Sequence, residues 1–227
     1  MTVAPQLAAC PRVASWPFPH LRYAPGDLLS QAEAETLSAE FPSAALTDSA
    51  RRGPGKSYQV RVLPLHGEDG WRAGALGQLS PGWRALARRL VTPEHLRPVC
   101  DHLGLTACGV TPASLWIELR PAEYVAGGWM SRHTDRADKA FSQVLYFCPG
   151  WRPGWGGGLA MYHSQHAKRP AVLVEPGAGN AVAFARSDES WHEVLPVSEQ
   201  ALTPRRTLLL HAYHRSPRPG SGHGGSA

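Results

Sequence analysis

Beyond Ser114 the chain breaks into short apolar stretches separated by segments rich in Gly, Pro, Ser and Asp, and that rhythm limits the fold more than any other feature. Strands are expected at 114–120, 142–148, 159–162, 171–174, 181–184, 194–197 and 208–213. The first half has a different period. Ser30-Gln31-Ala32-Glu33 is a capping box that starts a helix running to about Phe41, where Pro42 stops it. Trp83, Leu86, Ala87 and Leu90 recur at helical spacing, so 81–91 is expected to be an amphipathic helix packed on the sheet. A second helix is expected over 93–103, terminated by Gly104. A strand is expected over 58–65, and 47–57 reads as a loop. Helices first and many short strands afterwards predict a mainly β fold with supporting α-helices, a double-stranded β-helix or jelly roll. The expected organisation is one domain over 1–215, with a helical part at 1–110 and the jelly-roll core at 111–215. The Pro-, Gly- and Ser-rich segment 216–227 cannot support a core and is expected to be a disordered tail, so His223 is not a ligand candidate.

Three residues stand out chemically. His133-Thr134-Asp135 puts an imidazole and a carboxylate at i and i+2, which on a strand point to the same side, and His192 supplies a second imidazole. Two His and one carboxylate on one face of a metal are the ligand set of a non-haem Fe(II) site with open positions opposite. The tripeptide alone is a weak signal in a chain with 11 His, since a His beside an Asp in a loop is common. Its surroundings strengthen it: a Tyr-containing strand (142–148), the run Gly156-Gly157-Gly158-Leu159, Trp191-His192-Glu193-Val194, and Arg205-Arg206-Thr207 opening the last strand follow in order.

In that order of elements, over about residues 16 to 215, the chain resembles the 2-oxoglutarate and Fe(II)-dependent dioxygenases, in particular their prolyl-hydroxylase-like branch. The resemblance implies that His133, Asp135 and His192 hold iron and form the catalytic centre. It implies that an Arg after the distal His pairs with the far carboxylate of 2-oxoglutarate, and that Tyr146 bonds the same group. Arg205, with Thr207 in the Arg-x-Thr pattern, is preferred; a register shifted by one residue would give the role to Arg206. The implied reaction hydroxylates an unactivated C–H bond of a peptidyl (prolyl-type) or free amino-acid side chain. It consumes O₂ and releases succinate and CO₂, with ascorbate as an optional reductant. Asp135, where halogenating relatives have a small residue, favours hydroxylation.

Arg120, Trp129 and Arg136 border the implied pocket and are candidates for substrate contact, in competition with a Trp packing the barrel mouth and a solvated charged turn at Arg136, Asp138 and Lys139. Glu193 could orient His192, although strand alternation speaks against it. The substrate is expected to be a small molecule, peptide or protein. Net charge is +5, but the basic residues are dispersed without an aromatic platform, which argues against nucleic acid. No stretch approaches the ~18 apolar residues of a membrane span, Met1 to Cys10 lacks the pattern of a secretion signal, and four scattered Cys suit a reducing cytoplasm. No feature fixes the oligomeric state. The competing readings are a cupin-type metalloenzyme of other chemistry and a catalytically silent jelly-roll binding module.

Overall fold

Period-two alternation in three long strands decides how the chain is layered. The computed structural model describes residues 12–53 and 57–215. Its strands are β1 (Arg12–Ala14), β2 (His20–Tyr23), β3 (Thr47–Arg51), β4 (Tyr58–Val62), β5 (His66–Gly67), β6 (Gly70–Trp71), β7 (Leu115–Tyr124), β8 (Met130–His133), β9 (Lys139–Tyr146), β10 (Leu159–Tyr162), β11 (Val172–Val174), β12 (Ala181–Ala185), β13 (Trp191–Val194) and β14 (Arg205–His214). The helices are α1 (Gln31–Ala39), α2 (Ala73–Gly77), α3 (Pro81–Leu90) and α4 (Pro93–His102). On β7, Leu115, Ile117 and Leu119 face one side; on β14, Leu208, Leu210 and Ala212 do so; on β9, Phe141 and Leu145. These residues form one apolar layer with Trp83, Leu86, Ala87 and Leu90 of α3 and with Leu96 and Val99 of α4. Fully burying each large side chain there contributes about 1.5–3 kcal/mol. The alternate residues of the same strands face the other way, into a second cluster that includes Ala122, Tyr124, Val144 and Tyr146 with Leu159, Met161 and Val194 of the opposite sheet.

All pairings are antiparallel, in the order β1-β2-β12-β9-β14-β7-β4-β8-β13-β10-β11, with β3 on β4 and the β5/β6 hairpin on β7. The sheet curls over on itself: β4 meets β7 at Arg61 and Val62, then touches β8 through the single pair Tyr58 and Met130. The result is the double-stranded β-helix expected from the strand rhythm, with the helices covering one outer face. Trp83 anchors that cover, with its ring fully buried and Nε1 donating to the Leu37 carbonyl at 2.9 Å. The Ser30 capping box is present.

Four expectations are corrected. Residues 47–51 are a strand, not a loop: Thr47-Asp48-Ser49-Ala50-Arg51 carries no apolar alternation, and its extended form is set by its backbone pairing with β4 along an exposed edge. The strand from Ser114 does not stop at Arg120; it runs through Pro121 to Tyr124, and Pro121 is tolerated because its carbonyl, accepting from Leu63 N–H at 3.1 Å, carries the ladder. The His192 strand is Trp191–Val194, not 194–197. The first 110 residues are not simply helical, since six strands lie within them. The 216–227 segment, His223, Cys10 and the centre of the 47–57 loop (54–56) lie outside the described residues.

Candidate active site

β8 and β13 pair with His133 directly opposite His192, so the sheet itself brings the two imidazoles together at a ring separation of 4.3 Å. Asp135 lies two residues beyond His133, past the end of β8; the carboxylate reaches the pair from a turn rather than from the strand. His133 Nε2 is 3.8 Å from Asp135 Oδ1 and His192 Nε2 is 3.9 Å from Asp135 Oδ2. All three side chains are buried, and one ligand atom from each lies within 4.8 Å of the others. Backbone carbonyls set the direction of both rings: Nδ1 of His133 contacts Ser131 O at 2.7 Å and Nδ1 of His192 contacts Ser190 O at 2.8 Å. With the proton on Nδ1 in each ring, both Nε2 lone pairs point at the common centre, the arrangement that outer partners of metal-bound His commonly impose. Asp135 is held equally firmly. Ser142 Oγ donates to Oδ2 at 2.7 Å, and Lys139 Nζ lies 2.8 Å from Oδ1. Lys139 is therefore not part of a solvated turn; it is almost fully buried, and burial pushes its ammonium below the usual lysine range against the attraction of Asp135. Arg136 and Asp138 do pair with each other in the exposed turn.

β14 begins at Arg205, and the register it sets separates the two arginines. Arg205 faces inward and is 1% exposed, opposite Tyr124 on β7, with its guanidinium 5.0 Å from the Tyr124 ring and 5.1 Å from the Tyr146 ring. Arg206 points to the opposite face, where Nε donates to Glu123 at 3.2 Å beside the Phe41 ring. The alternative role for Arg206 is thus corrected by strand alternation. Thr207 is inward and buried, opposite Tyr146, and its hydroxyl donates to Ala122 O. Arg205 Nε donates to the Gly157 carbonyl at 2.6 Å. Gly157 has φ +69°, and a Cβ there would stand 3.1 Å from Arg205 Cδ, so glycine is what lets this backbone lie against the arginine. Arg205 Nη1 and Tyr146 Oη are buried and make no hydrogen bond among the described residues. Burial pushes the Tyr146 phenol up to about 12, against the opposing charge of Arg205, so it remains a hydroxyl donor.

A cavity of about 780 Å³ opens over His133 and Asp135 and is lined by Tyr58, Glu118, Arg120 and His211, among others. Of the candidate substrate contacts, Arg120 and Arg136 line this cavity. Trp129 does not; it borders a neighbouring cavity of about 450 Å³ with Arg51, Arg52 and Tyr58. Glu193 is spent on Arg132 and Tyr162 rather than on His192. Sequence reasoning missed Tyr124, Glu118 and His211. The signal was present: continuing the alternation of 114–120 past Pro121 puts Glu118, Arg120 and Tyr124 on one face, and the same count on β14 puts His211 beside Glu118.

His211 sits in the cavity wall with 12% of its side chain exposed, and burial, then the charge of Lys139, pushes its imidazole down to about 3. Its folded value lies below the ordinary 6.5, so the stability it contributes is complete above that pH and is lost as pH falls toward 3. Glu118 would be raised by burial, but the bond from His211 and the Arg120 charge hold it lower, at about 2, so its own contribution is complete above the ordinary 4.5 and is lost as pH falls from there toward 2. Denaturant titrations should therefore show the protein losing about 2 kcal/mol between pH 6.5 and about pH 5, and His211→Gln should flatten that slope. An unchanged slope in the variant would assign the loss elsewhere.

Residues 119–213 match the family described as the 2OG-Fe(II) oxygenase superfamily, a segment that contains the triad, Tyr146 and Arg205. Among solved structures, a prolyl 4-hydroxylase of Pseudomonas putida is similar at 22% identity and TM-score 0.59, over 87% of this chain and 93% of that one. A prolyl hydroxylase of Trichoplax adhaerens in complex with a hypoxia inducible factor peptide fragment is similar at 16% identity and TM-score 0.55, over 86% and 83%. HygX of Streptomyces hygroscopicus, with nickel and 2-oxoglutarate bound, is similar at 14% identity and TM-score 0.52, over 86% and 82%. A search of curated proteins found no match. Both the partial match and the fold are similar to those of 2-oxoglutarate-dependent oxygenases. The match to the 2OG-Fe(II) oxygenase superfamily spans residues 119–213, under half of the chain. No helix among the described residues is long and apolar enough to cross a membrane.

Proposed function

We propose that this chain is an oxygenase, a hydroxylase acting on an unactivated C–H bond of a peptidyl (prolyl-type) residue or a free amino acid, using Fe(II), 2-oxoglutarate and O₂. The observation that carries the reading is the pairing of two features in one barrel. Three buried ligand atoms converge on a point, and behind them a buried arginine and tyrosine offer donors that no described residue accepts. His133, Asp135 and His192 would hold the metal. Arg205 and Tyr146, with Tyr124 against the same guanidinium and Thr207 beside them, would hold the distal carboxylate of 2-oxoglutarate. A carboxylate is the group that satisfies a buried guanidinium and a phenol together; a neutral ligand would leave the charge unmet.

When bound, the metal and cosubstrate supply the oxidation: the substrate C–H becomes C–OH while 2-oxoglutarate and O₂ become succinate and CO₂. The chain supplies position. Ser131 and Ser190 carbonyls fix both imidazole tautomers, Ser142 and Lys139 fix the Asp135 carboxylate, and the sealed Arg205 end keeps water from the cosubstrate tail. The peptide fragment in the Trichoplax complex and the hygromycin B bound in a second HygX structure are ligands of both sizes on this fold. The described cysteines are all free thiols, which fits a reducing cytoplasm where Fe(II) persists, and ascorbate could serve as reductant. The proposed unit is one domain over 1–215.

The test is anaerobic titration of 2-oxoglutarate into the Fe(II) protein. A weak, saturable visible charge-transfer band is expected, followed on admission of O₂ by one succinate per 2-oxoglutarate consumed. Iron bound without such a band would overturn the reading.

A further inference from the structure

Along the inner face of the barrel, the central strands carry matched rungs. Tyr124 stands opposite Arg205, Arg120 opposite Leu209, and Glu118 opposite His211, which in turn faces Ser142, the donor to Asp135. One step along β7 toward Tyr124 from the rung that touches Asp135 therefore sits an arginine. Unlike Arg205, Arg120 reaches the open cavity, with 28% of its side chain exposed. A guanidinium has five N–H donors. Among the described residues Arg120 donates one hydrogen bond, Nη1 to Glu118 Oε1 at 3.2 Å, and its Nε is buried with no acceptor.

Glu118 cannot use more of it. Its Oε2 already takes His211 Nδ1 at 2.9 Å and the Tyr213 hydroxyl at 3.4 Å. The carboxylate thus acts as a bracket that orients Arg120, and its guanidinium, partly exposed, borders the cavity with donors to spare. Leu209 makes the floor beside it apolar, so no side chain of that rung competes for them. The other cations of the cavity near the metal are committed: Lys139 to Asp135, Arg132 to Glu193, Arg136 to Asp138. Arg51 also lines the cavity, which adds positive potential at the mouth.

Resting on the proposed reading of the triad, we infer that Arg120 is a specificity-determining residue that binds a carboxylate of the primary substrate. The substrate is then an acid: a free amino or imino acid held by its α-carboxylate, or a peptide held by an acidic group. A planar fork on a fixed bracket orients a carboxylate bidentately, which places the C–H to be attacked by distance from that anchor.

The experiment uses the full chain with Fe(II). Free L-amino acids, their carboxamides and end-blocked peptides containing Asp are compared for stimulation of 2-oxoglutarate conversion to succinate. 2-Oxoglutarate affinity is measured separately by the anaerobic band. Carboxylate members are expected to stimulate with KM between about 10-fold and 150-fold below that of their amides, the range of hydrogen bonds to charged groups. Arg120→Gln should erase that difference while leaving 2-oxoglutarate affinity within about twofold. Arg120→Lys, which keeps the charge and loses the fork, should restore only part of it and serves if the Gln variant fails to fold. Stimulation by free acids or by Asp peptides tells which source the carboxylate has. A panel in which no carboxylate outperforms its amide overturns the inference, and so does an Arg120→Gln variant that loses 2-oxoglutarate affinity instead. A wild-type protein without the chelate band fails the underlying reading, a distinct result.

Discussion

In His192→Ala, Fe(II) or Co(II) affinity is expected to fall more than about 100-fold, with loss of 2-oxoglutarate turnover. The size follows from the site: loss of an outer partner alone typically costs 10–100-fold in metal affinity, and His192 is one of the three converging groups itself. The strand should survive, because β13 is held by β8 on one side and β10 on the other. Asp135→Ala is expected to behave differently. It strips the carboxylate from Lys139, whose ammonium is then buried without a counter-charge, at a cost of about 3–5 kcal/mol in folding. The double variant Asp135→Ala with Lys139→Met should recover most of that stability and none of the metal binding. Co(II) titration and urea denaturation on the three variants separate the two effects. Wild-type affinity in His192→Ala would remove the triad from the metal site.

How much of this was legible in the sequence depends on whether a residue's role is local or borrowed from a partner. The α3 stripe of Trp83, Leu86, Ala87 and Leu90 and the Ser30 capping box are local patterns, and both appear as expected. The β3 strand is borrowed: nothing in Thr47 to Arg51 favours extension except the β4 backbone beside it. The three triad residues were identifiable by type and order, yet the geometry that joins them was not, since Asp135 leaves the strand while His192 sits within one. The choice between Arg205 and Arg206 turned on a register that the apolar run 208–213 could not fix, because the strand starts three residues before that run. Lys139 shows the limit most plainly. A lysine in a charged turn is expected to face water, and only the fold reveals that it lies against Asp135. Glu118 and Tyr124 were missed for a related reason: ending the strand at Arg120 cut the alternation that links them through the candidate Arg120.

The second large effect concerns Arg205, where binding and folding should move in opposite directions. Its guanidinium is sealed in the barrel with Nη1 unsatisfied among the described residues, and no carboxylate pairs with it there. A buried charge without a partner is a folding cost, whereas a buried charge grasping a carboxylate is a binding asset. Arg205→Met, similar in length and apolar, should leave the ligand-free protein as stable as wild type or more stable by about 1–4 kcal/mol, after loss of the Gly157 contact. The same change should weaken 2-oxoglutarate by 100-fold or more, since two charge-assisted hydrogen bonds at about 1.5–3 kcal/mol each are removed. Wild type in the presence of metal and 2-oxoglutarate at 100 times its Kd should gain about 2.7 kcal/mol over the cosubstrate-free protein, and the variant almost none at that concentration. Arg206→Met is the control: its partner Glu123 keeps Arg61 at 2.8 Å on the outer face, so the 2-oxoglutarate-dependent gain should persist. Urea midpoints with and without 2-oxoglutarate read all of this directly. A variant at Arg205 that unfolds more easily yet keeps the full gain would mean that the arginine is a structural strut and that the cosubstrate carboxylate lies elsewhere. Crossed stability curves would instead show that the chain tolerates an unfavourable charge in its core because the cosubstrate completes it.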